Sequence, residues 1–309
     1  MVNNFLIFAL SLFFLVKGAT WATKYAGRVA ESFHLSKYLV GFLIVAVVSI
    51  LPETFIAINS ASNGMPSFGL GTLFGSNVAD LTLIIAIIIA VAGRGLKIDS
   101  KILKNNNIYP FLLLLPIGLG LDGNFSRWEG VFLVIFGLGF YYHVFKNGLK
   151  NEKRQKYSDH IYRNLALLLV SMAVLLVSSH FTVESAVSLA QNLNINPVLI
   201  GMLVVGLGTT MPEFLFSLKS VIKKEDELAV GDILGTVLAD ATIVVGVLAL
   251  VSPVTVSKNI IYVTGMFMVL ASILLFYFMR SGRVVSKRES YLLLSFWLFF
   301  VIVEFIVNR

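Results

Sequence analysis

Four carboxylates lie inside long apolar runs of this chain: Glu53, Asp80, Glu213 and Asp240. At the centre of a membrane helix each would cost on the order of 3 kcal/mol or more if it faced lipid, so each must face a protein interior and a cation or a proton. Glu53 follows Pro52, and Glu213 follows Pro212. Proline has no amide hydrogen to donate, which frees the carbonyls of Val48 and Gly208 and disfavours regular helix just before it. Unwound carbonyls beside a carboxylate are hard oxygen ligands. Calcium takes about six to eight such oxygens, and sodium accepts similar donors with less charge. Around the acids stand the hydroxyls of Ser49, Ser76, Thr209, Thr210 and Thr236, with small residues Gly75, Ala79, Gly206, Gly208, Gly235 and Ala239 between them. The chain has no cysteine and no histidine beside these positions, so zinc and copper are disfavoured.

The elements that hold these residues follow from composition. The 309 residues are 57% hydrophobic and 13% charged, with a mean hydropathy of +0.88. That is more apolar surface than one soluble core hides, so lipid is part of the solvent. Apolar runs long enough to cross about 30 Å of hydrocarbon as helix recur along the chain. Ten spans are expected, over residues 4–20, 38–61, 69–92, 107–121, 129–145, 164–180, 197–221, 229–251, 259–279 and 290–307. The fourth is short and carries Pro110 and Pro116. The opening run FLIFALSLFFLV has no Lys or Arg before it and reads as the first span, not a cleaved leader.

The net charge of +7 invites a nucleic-acid reading. The basic residues instead sort by membrane side. With the 146–163 loop placed in the cytoplasm, only Arg127, Lys258 and Arg309 of the 24 Lys and Arg fall outside. The positive-inside bias therefore predicts a multi-pass protein of the cell membrane with both termini outside, and no nucleic-acid partner.

Shifting the sequence by 160 residues superposes one half on the other. Gly41, Leu43, Val45, Pro52, Glu53 and Ser60 meet Gly201, Leu203, Val205, Pro212, Glu213 and Ser220; Gly71, Gly75, Ala79, Asp80 and Thr82 meet Gly231, Gly235, Ala239, Asp240 and Thr242. Five spans per half is an odd number, so the second half enters the membrane from the opposite side. The expected fold is an all-α integral membrane protein of about ten transmembrane helices in two inverted five-helix repeats, 1–145 and 164–309, joined by the basic loop 146–163. Inverted repeats with interrupted helices are a recurring plan of secondary transporters, with the ion site where the repeats meet.

With these motifs in hand, the chain resembles the calcium/cation antiporter family, and within it the sodium/calcium exchangers of prokaryotic type. The resemblance rests on GLGTTMPEF with GDILGTVLAD in the second half and VVSILPETF with GTLFGSNVAD in the first. It implies a calcium site of Glu53 and Glu213 with the backbone carbonyls of Ser49 and Thr209. It implies sodium at the carbonyls of Ala46 and Gly206 and the side chains of Ser76, Thr210 and Thr236, together with the two Glu residues. Asp80 and Asp240 match the polar position ending the second motif of each repeat, where they are assigned to sodium or a proton. No cofactor is expected beyond the transported Ca2+ and Na+ or H+; the other partner is the bilayer, and one chain suffices as a monomer.

Three positions depart from the family pattern. Ile50 stands where a hydroxyl is usual, VVSILPE lacks the glycines of GLGTTMPE, and both motif ends carry Asp. Four crowded negative charges do not all ionise together, which keeps the proton as the alternative counter-ion. A cation channel is the second class, but two acid-bearing repeats in one chain suit an occluded site better than a pore. An intramembrane hydrolase using Asp80 and Asp240 would leave Glu53, Glu213 and both prolines idle, so no enzyme is expected. Asp232 opens the eighth span and reads as an acid favourable to the helix N-terminus. Glu304, near the outer end of the last span, reads as solvated.

Overall fold

The computed structural model describes residues 2–30, 49–98, 108–148 and 161–308. The first part of the expected second span, with Ala46 and Val48, and most of the 146–163 loop lie outside the described residues. The first half contains α1 (Val2–Ala30), α2 (Leu51–Ser62), α3 (Pro66–Ala79), α4 (Ile85–Ala92), α5 (Tyr109–Leu112), α6 (Leu114–Leu119) and α7 (Arg127–Gly148). The second contains α8 (Ile161–Asn192), α9 (Pro197–Ile200), α10 (Gly206–Thr209), α11 (Met211–Ile222), α12 (Asp226–Ala239), α13 (Val245–Val251), α14 (Met266–Gly282) and α15 (Lys287–Val307). Wider π-helical turns join α3 to α4 (Asp80–Ile84), α9 to α10 (Gly201–Val205) and α12 to α13 (Asp240–Val244), and a further one, Ile260–Gly265, leads into α14.

Among the described residues, seven helical stretches are long and apolar enough to cross a membrane. Tyr109–Asp122 is a shorter apolar stretch, broken at Leu113 between Pro110 and Pro116. The protein is an α-helical membrane protein, with two antiparallel ribbons of two residues each: β1 (Leu96–Lys97) with β4 (Val284–Val285), and β2 (Asn124–Phe125) with β3 (Val254–Thr255).

The two halves repeat their backbone at the same shift as their sequence. α2, α3 and the π turn at Asp80 correspond, 160 residues on, to α11, α12 and the π turn at Asp240. The residue before each Pro-bearing helix repeats even its torsions, φ −70° and ψ −4° at Ile50 and φ −76° and ψ −5° at Thr210.

α3 and α12 form the centre, buried along almost their whole length. Close packing there depends on glycine. A Cβ on Gly75 would lie 2.4 Å from the Met202 side chain and 2.8 Å from its carbonyl oxygen, so only glycine lets α3 cross the 197–209 segment at this distance. The core splits into a large cluster built on α3, α4, α7 and α12–α15 and a smaller one around α1 and α8.

Three sequence expectations are revised. The first and sixth spans run well past their expected ends at 20 and 180, because hydropathy marks the lipid-facing length while the helical hydrogen-bond ladder continues through the polar ends. α8, with 32 residues, is about 48 Å long at the usual rise per residue. Third, Glu304 is not solvated. It is fully buried, accepting a hydrogen bond from the Thr264 hydroxyl at 2.7 Å and from the Asn308 amide at 2.6 Å.

The Thr264 bond ties α15 to the π turn entering α14, and the Asn308 bond closes the end of α15 itself. Glu304→Ala strands two buried donors and is expected to cost about 1–3 kcal/mol, read as a lowered Tm in detergent by tryptophan fluorescence. Glu304→Gln, which keeps one acceptor, should fall between the variant and the parent.

Candidate cation-binding site

The two Pro-Glu helices begin in the interior of the protein. Pro52 and Pro212 occupy the first turn of α2 and α11, where a missing amide hydrogen costs nothing, and the carboxylates of Glu53 and Glu213 sit in the same turn, favoured by the positive end of the helix. Neither helix has a side-chain cap. Across from them, Asp80 and Asp240 each open a π turn, the widened geometry common at functional sites.

The structure brings the sequence-predicted acids together. Glu53 lies within electrostatic reach of Asp80, Glu213 and Asp240, and Asp80 within reach of Glu213 and Asp240. All four are buried to within 1% exposure. Among the described residues, six of their oxygens have no hydrogen-bond partner: Glu53 Oε2, Asp80 Oδ1, both of Glu213 and both of Asp240. No Lys, Arg or His pairs with any of the four among the described residues. Thr236 Oγ1 is also buried and unpartnered. Desolvated anions without partners are among the most costly groups a protein can hold. A cation among these oxygens is what the donor set fits.

The other predicted ligands surround this cluster. The Thr209 side chain meets the Glu53 carboxylate, which joins the two halves. Ser76 and Thr210 give their hydroxyl protons to the carbonyls of Leu73 and Leu207, at 2.9 and 3.1 Å, and keep oxygen lone pairs for a cation. The Gly206 carbonyl already accepts from the Thr210 amide and the Thr209 hydroxyl, at 3.1 and 2.9 Å, so an ion there must displace or share with one of them. Ser49 is fully buried. Two tyrosines fix the α12 backbone between these ligands: Tyr109 and Tyr141 donate to the adjacent carbonyls of Leu234 and Gly235, both at 2.7 Å.

Asp232 was missed by the sequence reading as a member of this group. α12 starts six residues earlier, at Asp226, so Asp232 is not at the helix N-terminus but on one face with Thr236 and Asp240. It is fully buried and accepts from Ser49 Oγ at 3.4 Å and Ser217 Oγ at 3.2 Å, bridging the approach to α2 and the body of α11. The spacing 232, 236, 240 was the available signal. At the shift of 160 its counterpart is Thr72, so the repeat gave no paired acid to point to it.

Cavities open on two sides of the cluster. One, about 610 Å3, lies where α12 begins and is lined by Arg94, Lys97 and residues 224–227. Another, about 480 Å3, lies at the matching start of α3, lined by residues 64–67 with Asn196, Ser252 and Thr255. Neither is lined by a residue of the acid cluster. In the first, Arg94 clamps Asp226 with two bonds of 2.6 and 2.7 Å and the Val221 carbonyl at 2.6 Å, fixing the turn between α11 and α12.

The chain also matches known proteins in sequence and fold. Residues 3–146 and 163–306 match the family described as sodium/calcium exchanger protein. The chain is 22% identical to the sodium/calcium exchanger MaX1 of Methanosarcina acetivorans, over 98% of this chain and 99% of that one. It is 28% identical to the putative antiporter CaxA of Alkalimonas amylolytica, over 74% of each. Its fold is similar to solved structures of the sodium-calcium exchanger NCX_Mj, with a TM-score of 0.74 and 23% identity over 100% of this chain and 99% of that chain.

An uncompensated buried charge predicts a specific stability response. Glu213→Gln should raise Tm in detergent and chelator, because it relieves the crowding of four buried carboxyl groups. It should also lose most of the rise that calcium gives the parent protein, which amounts to about 2.7 kcal/mol at a hundredfold excess over Kd.

Proposed function

Because the chain belongs to the sodium/calcium exchanger protein family, we propose that it is a secondary antiporter exchanging calcium for sodium across the cell membrane by alternating access. The observation that carries this reading is the set of six unpartnered carboxylate oxygens, buried, without a basic neighbour among the described residues. Calcium is held by Glu53, Glu213 and the carbonyls of Ser49 and Thr209. Sodium uses the two Glu residues with Ser76, Thr210, Thr236, Asp80, Asp240 and the carbonyls of Ala46 and Gly206. Shared ligands make the two loads mutually exclusive, and that competition couples their fluxes.

In this reading the chain forms ten spans in two inverted repeats, 1–145 and 164–309, with both termini outside and the 146–163 loop in the cytoplasm. The equal shift of 160 residues between the acid-bearing helices supports the repeats, and the odd span count inverts them. The cavity with Arg94 and Lys97 is then the inner mouth, and the one with Asn196 and Thr255 the outer. A buried cluster lying between two mouths without lining either suits a carrier more than a pore. α1 and α8, which pack together on a separate apolar cluster, are the pair that slides against the rest. One chain carries both repeats, so a monomer is the transporting unit.

Proton coupling is the second reading. It is favoured by Asp at both 80 and 240 and by Ile50, which offers no hydroxyl to a sodium ion. The two readings separate in proteoliposomes. Calcium-45 uptake driven by an outward sodium gradient, and abolished by Glu213→Gln, is the expected result. Uptake driven only by a proton gradient would transfer the counter-ion role to H+, and uptake needing neither gradient would sink antiport.

A further inference from the structure

All but two of the buried serine and threonine hydroxyls among the described residues donate a hydrogen bond, most of them to the preceding turn of their own helix. One exception, Thr236, belongs to the acid cluster. The other is Ser272 on α14, fully buried and without a partner, in a part of the protein that the exchange reading leaves without a task.

Two oxygens at the α3 side of the same packing are in the same condition. Asn77 on α3 is fully buried, and its Oδ1 is unpartnered. The amide nitrogen lies 3.4 Å from the Val237 carbonyl and 3.4 Å from Met268 Sδ. Both neighbours are acceptors, which settles that the nitrogen faces them and the carbonyl oxygen points elsewhere. α14 runs parallel to α3 here. A Cβ on Gly265 would lie 3.4 Å from the Phe74 ring, and Asn77 touches Met268. Extending that register by one turn sets Ser272 level with Asp80 and Leu81, and Asp80 Oδ1 is also unpartnered.

We propose that Asn77 Oδ1, Ser272 Oγ and Asp80 Oδ1 form a sodium subsite between α3 and α14, to one side of the calcium site. The chemistry selects the ion. One carboxylate with an amide carbonyl and a hydroxyl gives hard oxygens and a single negative charge, which suits a monovalent cation, whereas calcium calls for more charge and more oxygens. The subsite joins Asn77 and Asp80 of the first half to Ser272 of the second and has no mirror image, since the shift of 160 pairs Asn77 with Val237 and Ser272 with Leu112. Asn77 thereby adds an oxygen in the half in which Ile50 withholds one. The proposal rests on the exchange reading, and Asp80 links the two.

The test uses full-length protein in proteoliposomes that exchange external calcium-45 for internal calcium, with sodium titrated in as competitor. For wild type, Ser272→Ala, Asn77→Ala and Ser272→Thr, the sodium concentration giving half-inhibition is divided by the calcium concentration giving half-maximal exchange. Ser272→Ala removes a hydroxyl that bonds to nothing among the described residues, so the fold is retained. The ratio should rise about fivefold in Ser272→Ala and in Asn77→Ala, the loss of about one ligand bond, and return toward wild type in Ser272→Thr. An unchanged ratio, whether both affinities stay put or fall together, overturns the subsite and leaves calcium exchange standing. Wild-type exchange indifferent to sodium overturns it as well and favours the proton. No calcium exchange by wild type would overturn the parent reading and the subsite with it.

Discussion

Four buried carboxylates, without a basic partner among the described residues, set the terms for the rest of this protein. Desolvation makes them costly wherever they sit in the membrane, and six of their eight oxygens accept no hydrogen bond among those residues. Such a cluster is tolerable only if lipid is kept away from it and cations or protons can reach it. The first demand explains why α3 and α12, which carry Asp80, Thr236 and Asp240, are the most enclosed helices. It also explains why glycines such as Gly75 recur where these helices cross their neighbours, since backbone approach closes the space through which lipid or bulk water would enter.

The second demand is met by breaking helices rather than by adding donors. Pro52 and Pro212 start α2 and α11 inside the protein, which puts Glu53 and Glu213 at positive helix ends beside the carbonyls of the preceding segments. A regular helix would hold those carbonyls in its own ladder and leave the acids with lipid-sized neighbours. Around the breaks the backbone is fastened from outside, by the tyrosine hydroxyls on Leu234 and Gly235 and by Asp232 between Ser49 and Ser217. In the proposed site, ligand positions would thereby be set by neighbours outside the ligand set, a division of labour familiar from metal sites generally.

Much of this was legible in the residue pattern. Acids inside apolar runs, each tied to a proline or to a run of small residues and repeated at a fixed shift, sufficed to select Glu53, Asp80, Glu213, Asp240 and Thr236 before any geometry was known. What escaped was information carried by contacts between distant segments. Asp232 looked like a capping acid because hydropathy starts the eighth span at 229, three residues into a helix that begins with the charged pair Asp226 and Glu227. Glu304 looked solvated because its partners, Thr264 and Asn308, are visible only once α15 lies on the π turn at 260–265. The lengths of α1 and α8 were underestimated because polar residues end a hydropathy window without ending a helix.

The differences between the halves matter as much as their likeness. The backbone pairs Ile50 with Thr210, Thr72 with Asp232 and Asn77 with Val237, and Asn77 reaches the carbonyl of Val237, its own counterpart, where α3 meets α12. A symmetric pair of half-sites would offer the same oxygens to both sides of the membrane and to both ions. Here the second half supplies the Thr210 hydroxyl, the buried acid Asp232 and the Ser272 hydroxyl of α14, and the first half the amide of Asn77. The two halves thus bring unequal charge and unequal numbers of neutral oxygens to the crossing. In the proposed exchange that inequality would let one cluster of shared acids distinguish a divalent load from a monovalent one, because total charge favours the first and neutral oxygens leave room for the second.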